Sequence, residues 1–544
     1  MSRTFRSGSL PGLLRTLLAS MLAVAMAVGT TAAARAASPA PRDLMEFRIE
    51  GNSVLPQAVI EAAVYPFLGP AREMEDVERA RAALEAAYQQ AGYLGVVVEL
   101  PAQTEAAANV ADEPGVVVLK VIENPVERLR VAGARYHLPS RLRAALPSLA
   151  PGSVPNFNDV QEELGELARS SDLRVSPLLR RGRAPGTIEI ELAVEDNLPL
   201  HGSAELNSRR SPDTVYGRFE AALRYENLWQ RRHALGLNYF VAPNARDQAE
   251  IVGLTYSLPW AANTLAFYAV HSNSNVPTAF DTRVVGKGTT WGARWVHPFG
   301  ARGGWYHSAT LGADYKDFAQ DVDLAGLRFA QPLRYLPLMA QYNALQLDER
   351  GSLRLQLGAV WGVRGLLERE VDCLSGKLDQ FACRRAGAQP NFYYWRGELE
   401  GRRRLGGGFE AALRLDFQNA GQPLVSNEQL IAGGLDSVRG YLEGEQAGDS
   451  GWRARVELYG PGFGFAEDWL AARALLFYDA AWLQLLEPLP GQREAQTLAA
   501  YGLGLRLTGG SGFALDLDLA RSSHATSRTA DGERRAAFRL SYRF

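Results

Sequence analysis

The residue types that could support catalysis do not occur at catalytic spacing in this chain. No HExxH, GxSxG or phosphate-binding-loop pattern is present, and the seven histidines are scattered. Asp516 and Asp518 could be interpreted as metal ligands, but residues two apart share one face of a strand, so we interpret them as charges on that face. The Arg402–Gly408 stretch could bind phosphate, although a turn between strands is simpler. We predict no enzyme, no catalytic residue, no cofactor and no metal site.

The two cysteines are the only residues that could form a covalent cross-link. Cys373 and Cys383 are separated by ten positions in a charged stretch that lies between the strand-like segments Leu353–Val363 and Asn391–Leu405. We expect a disulfide that closes a surface hairpin. The alternative is a pair of exposed thiols. Two cysteines are too few for a disulfide scaffold, and no cysteine–histidine cluster indicates zinc.

The N-terminus has the pattern of a secretory signal peptide. Three arginines accompany the apolar stretch Leu17–Val28, and Ala34-Arg35-Ala36 offers a cleavage site. We predict a signal peptide over residues 1–36, with a retained anchor as the alternative. Export would place the chain in an oxidising compartment, where a disulfide is stable. Only eight to ten residues then precede Glu46, so we expect no additional helix ahead of the first folded element.

Overall composition excludes two broad classes of protein. The 544 residues carry a net charge of −2, which argues against a nucleic-acid partner bound through bulk charge. After the N-terminus no run of about 18 apolar residues occurs, so we expect no helical membrane protein. The 53 glycines and the 10 Trp, 20 Tyr and 21 Phe fit a chain rich in strands and turns.

Residues 45–197 are predicted to form two small modules of the same β-α-α-β-β order. In the first, over residues 45–124, Glu46–Glu50 alternates like a strand and Pro56 suits the first turn of a helix. Its second helix has apolar residues at three- and four-residue spacing, among them Met74, Val77, Leu84 and Tyr88. The second module, over residues 125–197, repeats the order without obvious identity. A sheet with two helices on one face can bury a single core.

After about residue 198 the helical period disappears and period-two alternation replaces it. In Val215–Glu226 apolar residues alternate with charged ones, and the last residues alternate up to Phe544. One such strand also fits a soluble sandwich, but the pattern recurs without a covering element. We therefore predict an all-β transmembrane barrel over residues 198–544, with lipid outside and a polar lumen. About sixteen antiparallel strands are predicted near residues 205, 222, 238, 253, 268, 294, 311, 339, 357, 397, 414, 456, 476, 502, 517 and 540.

This arrangement resembles the two-partner secretion translocators of the outer membrane. These TpsB-type haemolysin and adhesin secretion-activation proteins belong to the superfamily of the barrel-assembly insertase, and the small modules look like their POTRA domains. The resemblance rests locally on Pro185-Gly186-Thr187, on Glu226-Asn227-Leu228-Trp229, and most on Gly433-Gly434-x-x-Ser437 followed by Val438-Arg439-Gly440-Tyr441. In the superfamily this V-R-G-[YF] motif marks the tip of the sixth extracellular loop, which folds back into the lumen.

The resemblance implies a carboxylate partner for Arg439. A guanidinium is permanently charged, so inside a barrel it needs such a partner. The family partner lies in an F-x-D-x-G motif, and this chain has Phe477-Tyr478-Asp479-Ala480-Ala481. Strand alternation turns Asp479 towards the lumen, as the pairing requires. Ala481 replaces the usual glycine, which puts the close packing at this point in doubt.

The resemblance also implies a function and a set of partners. The chain would capture a large, unfolded secreted exoprotein with its periplasmic modules and export it through the barrel. We expect the client groove of the first module to involve Met74, Val77, Leu84, Tyr88 and Val97. Other expected partners are outer-membrane lipid and the barrel-assembly machinery, and we expect a monomer. The alternatives are an assembly factor for outer-membrane proteins and, more weakly, a diffusion porin.

Overall fold

A computed structural model describes residues 42–101, 115–168, 170–274, 286–324, 327–367, 369–373, 376–465 and 469–544. The predicted signal peptide lies outside these residues. Among the described helices none has the length and apolarity that a membrane span needs. The chain divides into two compact units, one built mainly from the N-terminal modules and the other mainly from residues 194–544.

The first module is a three-stranded sheet with two helices. Its elements are β1 (Arg42–Leu44), β2 (Glu46–Glu50), α1 (Gln57–Val64), a 3-10 turn (Tyr65–Phe67), β3 (Gly69–Arg72), α2 (Met74–Gln90), β4 (Val97–Glu99) and β5 (Val116–Ile122). The sheet order is β2-β5-β4, with β2 parallel and β4 antiparallel to β5. The elements follow the predicted order. β1 and β3 form an additional two-stranded sheet that the sequence pattern did not predict.

The apolar stripe of α2 forms the core of this module. Val77, Leu84 and Tyr88 are 8%, 0% and 0% exposed. They cannot line an open groove, so the predicted groove is wrong at these three positions: helical apolar spacing marked the face that packs on the sheet. The Tyr88 hydroxyl donates to Asn52 Oδ1 at 2.6 Å, and burial together with the nearby Glu123 carboxylate raises the pKa of Tyr88. The other two predicted groove residues, Met74 and Val97, are exposed.

The second module repeats the architecture with shorter helices. Its elements are β6 (Val126–Ala132), α3 (Pro139–Ala144), a 3-10 turn (Pro147–Leu149), α4 (Phe157–Leu167), β7 (Leu173–Arg181) and β8 (Ile188–Asp196). The sheet order is β6-β8-β7. Leu142, Leu149 and Leu167 are buried, as expected for helices that cover one face of a sheet. α3 ends ahead of Pro147, which lacks the amide hydrogen that an α-helix would use there, and a separate 3-10 turn begins at that proline.

The remaining strands form the barrel and small pairs inside its loops. They are β9 (Leu200–Asn207), β10 (Arg218–Leu228), β11 (His233–Val241), β12 (Glu250–Trp260), β13 (Asn263–Ser274), β14 (Gly286–Arg302), β15 (Trp305–Leu324), β16 (Leu327–Tyr335), β17 (Leu338–Asp348), β18 (Gly351–Trp361), β19 (Glu370–Cys373), β20 (Gly376–Asp379), β21 (Tyr393–Gly406), β22 (Phe409–Ala420), β23 (Leu430–Ala432), β24 (Gln446–Gly448), β25 (Ser450–Tyr459), β26 (Phe463–Phe465), β27 (Leu470–Gln484), β28 (Ala495–Gly509), β29 (Phe513–Ser522) and β30 (Arg534–Arg543). The loops also hold helix α5 (Gln380–Arg384) and a 3-10 turn (Ser426–Glu428).

The structure confirms a closed antiparallel barrel of 16 strands. β16 and β26 are additional strands that pair with β15 and β27, and β30 closes the barrel on β9. The alternation is also confirmed. On β27, Leu476 and Tyr478 face outward and are 55% and 52% exposed, whereas Phe477 and Asp479 face inward and are 5% and 0% exposed. Period two therefore gives each strand one lipid-type face and one lumenal face.

The two ends of the barrel differ in the length of their connections. At one end, called the turn end, strands are joined by two- to four-residue connections such as 229–232, 349–350 and 407–408. At the other, called the loop end, the connections include loop one (208–217), loop two (242–249), loop five (362–392), loop six (421–449), loop seven (485–494) and loop eight (523–533). β19 and β20 form a hairpin in loop five, and β23 pairs with β24 in loop six.

The structure places a disulfide between Cys373 and Cys383, with their Cα atoms 5.9 Å apart. Cys373 ends β19, whereas Cys383 lies in α5. The bond therefore joins the loop-five hairpin to the helix that follows it. The sequence suggested a disulfide that closes a surface hairpin. The cysteines pair as expected, but the second one lies in the helix after the hairpin.

We expect non-reduced purified protein to contain no free thiol. A cross-link over this loop length restricts the unfolded chain and stabilises the folded one by roughly 2.5–3 kcal/mol. Alkylation followed by mass spectrometry should label no cysteine before reduction and both cysteines after it. Two alkylated thiols without reductant would contradict the prediction. The Cys373→Ala/Cys383→Ala variant should retain the folded barrel, because neither residue lies on a barrel strand: Cys373 pairs only within the β19–β20 hairpin of loop five.

Candidate functional site

Loop six carries the V-R-G-Y motif into the interior of the barrel. It connects β22 to β25, and its two halves are held together by the β23–β24 pairing. Val438 and Tyr441 are buried, and Arg439 is 2% exposed. A loop of this length could lie on the surface, so this burial requires specific partners on the lumenal wall.

Arg439 and Asp479 form a bidentate ion pair. The guanidinium Nε lies 2.7 Å from Asp479 Oδ2, and Nη2 lies 2.8 Å from Oδ1. The backbone N–H of Arg439 also donates to Oδ2 at 3.1 Å. Asp479 has no exposed surface. The structure thus brings together the two residues that the sequence paired, with the fork geometry that distinguishes arginine from lysine.

Two more carboxylates and an aromatic ring surround the same guanidinium. Nη1 lies 2.8 Å from Glu457 on β25 and 3.5 Å from Asp518 on β29. The ring of Phe477 lies 3.5 Å from the guanidinium carbon. Strand alternation had placed Asp518 on one face of its strand, but nothing in the sequence assigned it or Glu457 to Arg439. Their lumenal orientation was readable from the sequence, whereas their height along the barrel depends on strand register.

Neighbouring arginines limit the negative charge that this cluster accumulates. Arg455 lies 3.2 Å from Glu457 and 3.8 Å from Asp479. Arg506 lies 2.8 Å from Asp518. Three arginines therefore face three carboxylates inside the barrel. We call Arg439, Arg455, Arg506, Glu457, Asp479 and Asp518 the lumenal cluster.

The rest of the motif packs against an apolar strip of the wall. Tyr441 donates its hydroxyl to the His524 carbonyl at 2.8 Å. Ala481, the residue that replaces the family glycine, is fully buried in the same apolar group as Val438 and Tyr441, so its extra methyl is accommodated. Gly440 has a φ of +93°, and a Cβ there would approach Ala520 Cβ to 3.3 Å. A side chain at Gly440 would be both strained and crowded.

A second ion group holds loop six near the point where the barrel closes. The Asp436 carboxylate accepts hydrogen bonds from Arg209 and, at 2.6 Å, from Arg539 on β30. Arg539 also donates to Glu205 on β9 at 3.0 Å. Sequence reasoning missed these residues, because Arg209 and Asp436 lie in loops where no alternation assigns a direction.

One group of described residues has donor atoms placed as a metal site would need them. Ligand atoms of Asp172, His201 and Glu226 lie within 4.8 Å of one another. The geometry is also explained by protein partners alone. His201 Nε2 lies 2.8 Å from Asp172 Oδ2, and Glu226 lies 3.1 Å from the Arg224 guanidinium. Asp516 and Asp518 both face Arg506 across the neighbouring strand, so they are lumenal charges, as the sequence indicated.

The remaining candidate surface is the free edge of the first module's sheet. β4 is paired only with β5 among the described strands, so its other side is a sheet edge. Val97 is on this strand and is 43% exposed, whereas its neighbour Val98 is 2% exposed. Met74, at the start of α2, is 52% exposed. Of the five predicted groove residues, only these two offer surface to a partner.

A family model and several solved structures match this arrangement. Residues 186–507 match the family described as haemolysin secretion/activation protein ShlB/FhaC/HecB. Residues 43–124 match the POTRA domain of ShlB type. No curated protein matches the chain.

The solved structures share the fold at low identity. CdiB from Escherichia coli is 18% identical, with a TM-score of 0.62 over 98% of this chain and 96% of that one. CdiB from Acinetobacter baumannii is 15% identical, with a TM-score of 0.56 and the same coverage. BamA from Haemophilus ducreyi, lacking POTRA domains 1–3, is 14% identical, with a TM-score of 0.55 over 92% of this chain and 100% of that one. The family match covers more than half of the chain, and the barrel, the POTRA module and loop six agree with it: the chain belongs to the haemolysin secretion/activation (ShlB/FhaC/HecB) family of outer-membrane β-barrel transporters.

Proposed function

We propose that this transporter captures an unfolded secreted partner with its POTRA modules and exports it through the barrel. The partner is a large exoprotein of the haemolysin or adhesin type. The turn end of the barrel faces the periplasm, where the modules lie, and the loop end faces the cell exterior. The observation that carries this proposal is the lumenal cluster, since it fixes a long loop inside the conduit by contacts that barrel closure itself does not need.

Strand pairing alone closes the barrel, so the burial of Arg439 serves another purpose. Each lumenal strand could satisfy its carboxylates with wall arginines, as Arg414 and Glu398 do at 3.0 Å. Instead, the wall presents Asp479, Glu457 and Asp518 to a cation carried by a loop. Removing one partner of such a buried group strands the others at a cost of several kcal/mol. The cluster therefore sets the working position of loop six within the conduit.

The polar wall suits an unfolded client. An extended chain exposes backbone donors and acceptors along its whole length, and these need partners when water is scarce. Inward-facing ion pairs supply them, for example Arg294 with Asp314 at 2.6 Å and Arg453 with Asp416 at 2.9 Å. The wall offers charges of both signs, so it does not select one client sequence.

Client capture is assigned to the edge of β4. A strand edge presents unpaired backbone groups that an extended peptide can use by β-augmentation. Val97 adds an exposed apolar side chain at that edge, and Met74 offers a second one on α2. We assign no contact to Val77, Leu84 or Tyr88, because these side chains are in the core.

The outer surface and the closure of the barrel define the remaining partners. Outward-facing residues such as Leu237, Leu254, Leu357 and Leu503 are large, apolar and exposed, which suits outer-membrane lipid. One chain closes the barrel through β9 and β30, so we propose that it works as a monomer. The barrel-assembly machinery would insert it.

We expect Arg439→Ala to reduce secretion by about tenfold or more while the barrel still folds, because the substitution leaves three buried carboxylates short of a cation. Asp479→Ala should be milder, since Glu457 and Asp518 can still accept the guanidinium. Arg439→Lys should restore secretion only in part, because an ammonium lacks the planar fork. The measurement is exoprotein in the medium, divided by heat-modifiable folded barrel in the membrane.

The matched control is Arg246→Ala, which removes an exposed loop arginine that pairs with Glu250. It should secrete normally. Normal secretion by Arg439→Ala would remove the main site assignment. A general loss of other outer-membrane proteins, with exoprotein export intact, would point to the assembly-factor alternative instead.

We expect Val97→Asp to impair secretion without lowering the amount of folded barrel, since a charge at the β4 edge opposes docking of an apolar strand. Val59→Asp, at a similarly exposed apolar position of α1, is the control and should secrete normally. Photo-crosslinkers at Val97 and Val59 provide the second measurement. Capture of exoprotein from Val59 but never from Val97 would show that the client binds elsewhere.

A further inference from the structure

Three side chains with metal-binding groups meet where the chain enters the barrel. Ligand atoms of Asp172, His201 and Glu226 lie within 4.8 Å of one another. His201 lies on β9 and Glu226 on β10, whereas Asp172 comes directly before β7. All three belong to the compact unit that contains residues 167–175 and 194–544. They lie outside the lumenal cluster, and the proposed export of a client gives them no role.

Strand register places two of these side chains next to each other. In the pairing of β9 with β10, Arg224 lies directly opposite His201. Glu226 is two residues further along β10, so it shares a face with Arg224 and is the diagonal neighbour of His201, within reach of a long side chain. The backbone N–H of Glu226 donates to the Pro199 carbonyl at 2.8 Å, which holds the end of β10 against the start of β9.

The third side chain is positioned by the backbone before β7. The N–H of Asn197 donates to the Asp172 carbonyl oxygen at 2.9 Å, so this residue is tied to the segment that leads into β9. The next residue, Leu173, is 3% exposed and anchors the same segment in the core. Asp172 itself is buried, and its Oδ2 lies 2.8 Å from His201 Nε2. The fold of the backbone therefore directs this carboxylate at the imidazole.

The protein compensates the negative charge at this point only in part. The Asp172 and Glu226 carboxylates repel each other at such a short separation, and the burial of Asp172 strengthens the repulsion. Glu226 pairs with the Arg224 guanidinium at 3.1 Å, but that arginine side chain is 57% exposed, so the pair contributes little. A histidine side chain is largely neutral at pH 7. A divalent cation between the three groups would compensate both carboxylates.

The donor set selects the class of ion. One imidazole nitrogen with two carboxylate oxygens suits Zn²⁺, whereas Mg²⁺ and Ca²⁺ prefer oxygen ligands alone. Three protein ligands leave room for water in the coordination sphere, and the His201 side chain is 40% exposed, so an ion can enter from solvent. Protein partners already hold the three side chains together, so binding does not have to order them.

We propose that Asp172, His201 and Glu226 bind one divalent transition-metal ion of the Zn²⁺ type, and that this ion joins the segment before β7 to the first two barrel strands. The metal would replace the proton in the hydrogen bond between His201 Nε2 and Asp172. The sequence predicted no metal site, because these ligands are far apart in the chain and form no motif. The site is independent of the proposed export function and is tested without exoprotein.

The test is Zn²⁺ binding to the full-length purified protein in detergent micelles, after bound metal has been removed with a chelator. Isothermal titration calorimetry should show one site per chain for which Mg²⁺ and Ca²⁺ do not compete. Asp172→Asn, His201→Ala and Glu226→Gln should each weaken this site by about a hundredfold or more, since losing a residue that only orients a ligand already costs about 10- to 100-fold. Heat-modifiable migration checks that each variant is folded.

The matched control is His137→Ala, which removes an imidazole with the same kind of partner. His137 Nδ1 lies 2.8 Å from Asp196 Oδ1, but no third ligand completes a metal group there among the residues that the structure describes. This variant should bind Zn²⁺ as tightly as the unmodified protein. Hydrogen exchange followed by mass spectrometry provides a second measurement: Zn²⁺ should slow amide exchange in residues 170–175 and 197–203 of the unmodified protein.

The exchange measurement needs no variant, so it keeps the test decisive if a ligand variant fails to fold. Absence of a stoichiometric Zn²⁺ site in the unmodified protein would overturn the proposal. Folded ligand variants that keep full affinity would overturn it equally. Zn²⁺ binding that leaves exchange in residues 170–175 unchanged, or that His137→Ala removes as completely as His201→Ala does, would show that the ion binds elsewhere.

Discussion

The structure of the barrel interior depends on the burial of one charge that cannot be neutralised. Arg439 keeps its proton under all physiological conditions, and it is almost inaccessible to water. A buried cation must therefore be met by carboxylates held at bonding distance, and Asp479, Glu457 and Asp518 meet this need. The surrounding features follow from that requirement: the positive φ of Gly440, the small residues under the loop, and the arginines that offset the extra carboxylates.

The same requirement fixes strand register. Asp479 can reach Arg439 only if the odd-numbered residues of β27 face inward, and the outward Leu476 and Tyr478 enforce that choice because they belong in lipid. A slip of one residue would expose the carboxylate to lipid and bury the leucine in the lumen. Apolar exposure outside and ion pairing inside thus select the same register from opposite faces of one strand.

The Arg439–Asp479 pair was implied by the family resemblance, whereas the barrel could be predicted from period-two alternation. It assigns each residue to a face, but it does not give the height of that residue along the barrel, so Glu457 and Asp518 could not be matched to Arg439. The buried apolar group at the loop end that includes Phe240, Phe318, Phe381 and Phe392 was hidden for a related reason, since its members come from strands and loops far apart in the chain. α5 has five residues, too few for a periodic signal. In the first module, the apolar stripe of α2 was assigned to client binding although such stripes generally mark the core.

Loop six is held by two kinds of contact that respond differently to disturbance. At its tip, the Arg439 guanidinium is surrounded by three carboxylates. It can therefore move from one carboxylate to another and still have an ion-pair partner. At its ends, Leu424 and Val425 pack in an apolar group whose members lose their contacts together, because close-packed interiors shift between discrete arrangements instead of deforming gradually. Asp449, at the end of loop six, accepts the backbone N–H of Leu424 at the start of that loop and of Leu486 in loop seven, so one carboxylate orders the backbone of both loops. Ordering by a single carboxylate makes the apolar packing of Leu424 and Val425 depend on the hydrogen bonds that Asp449 accepts.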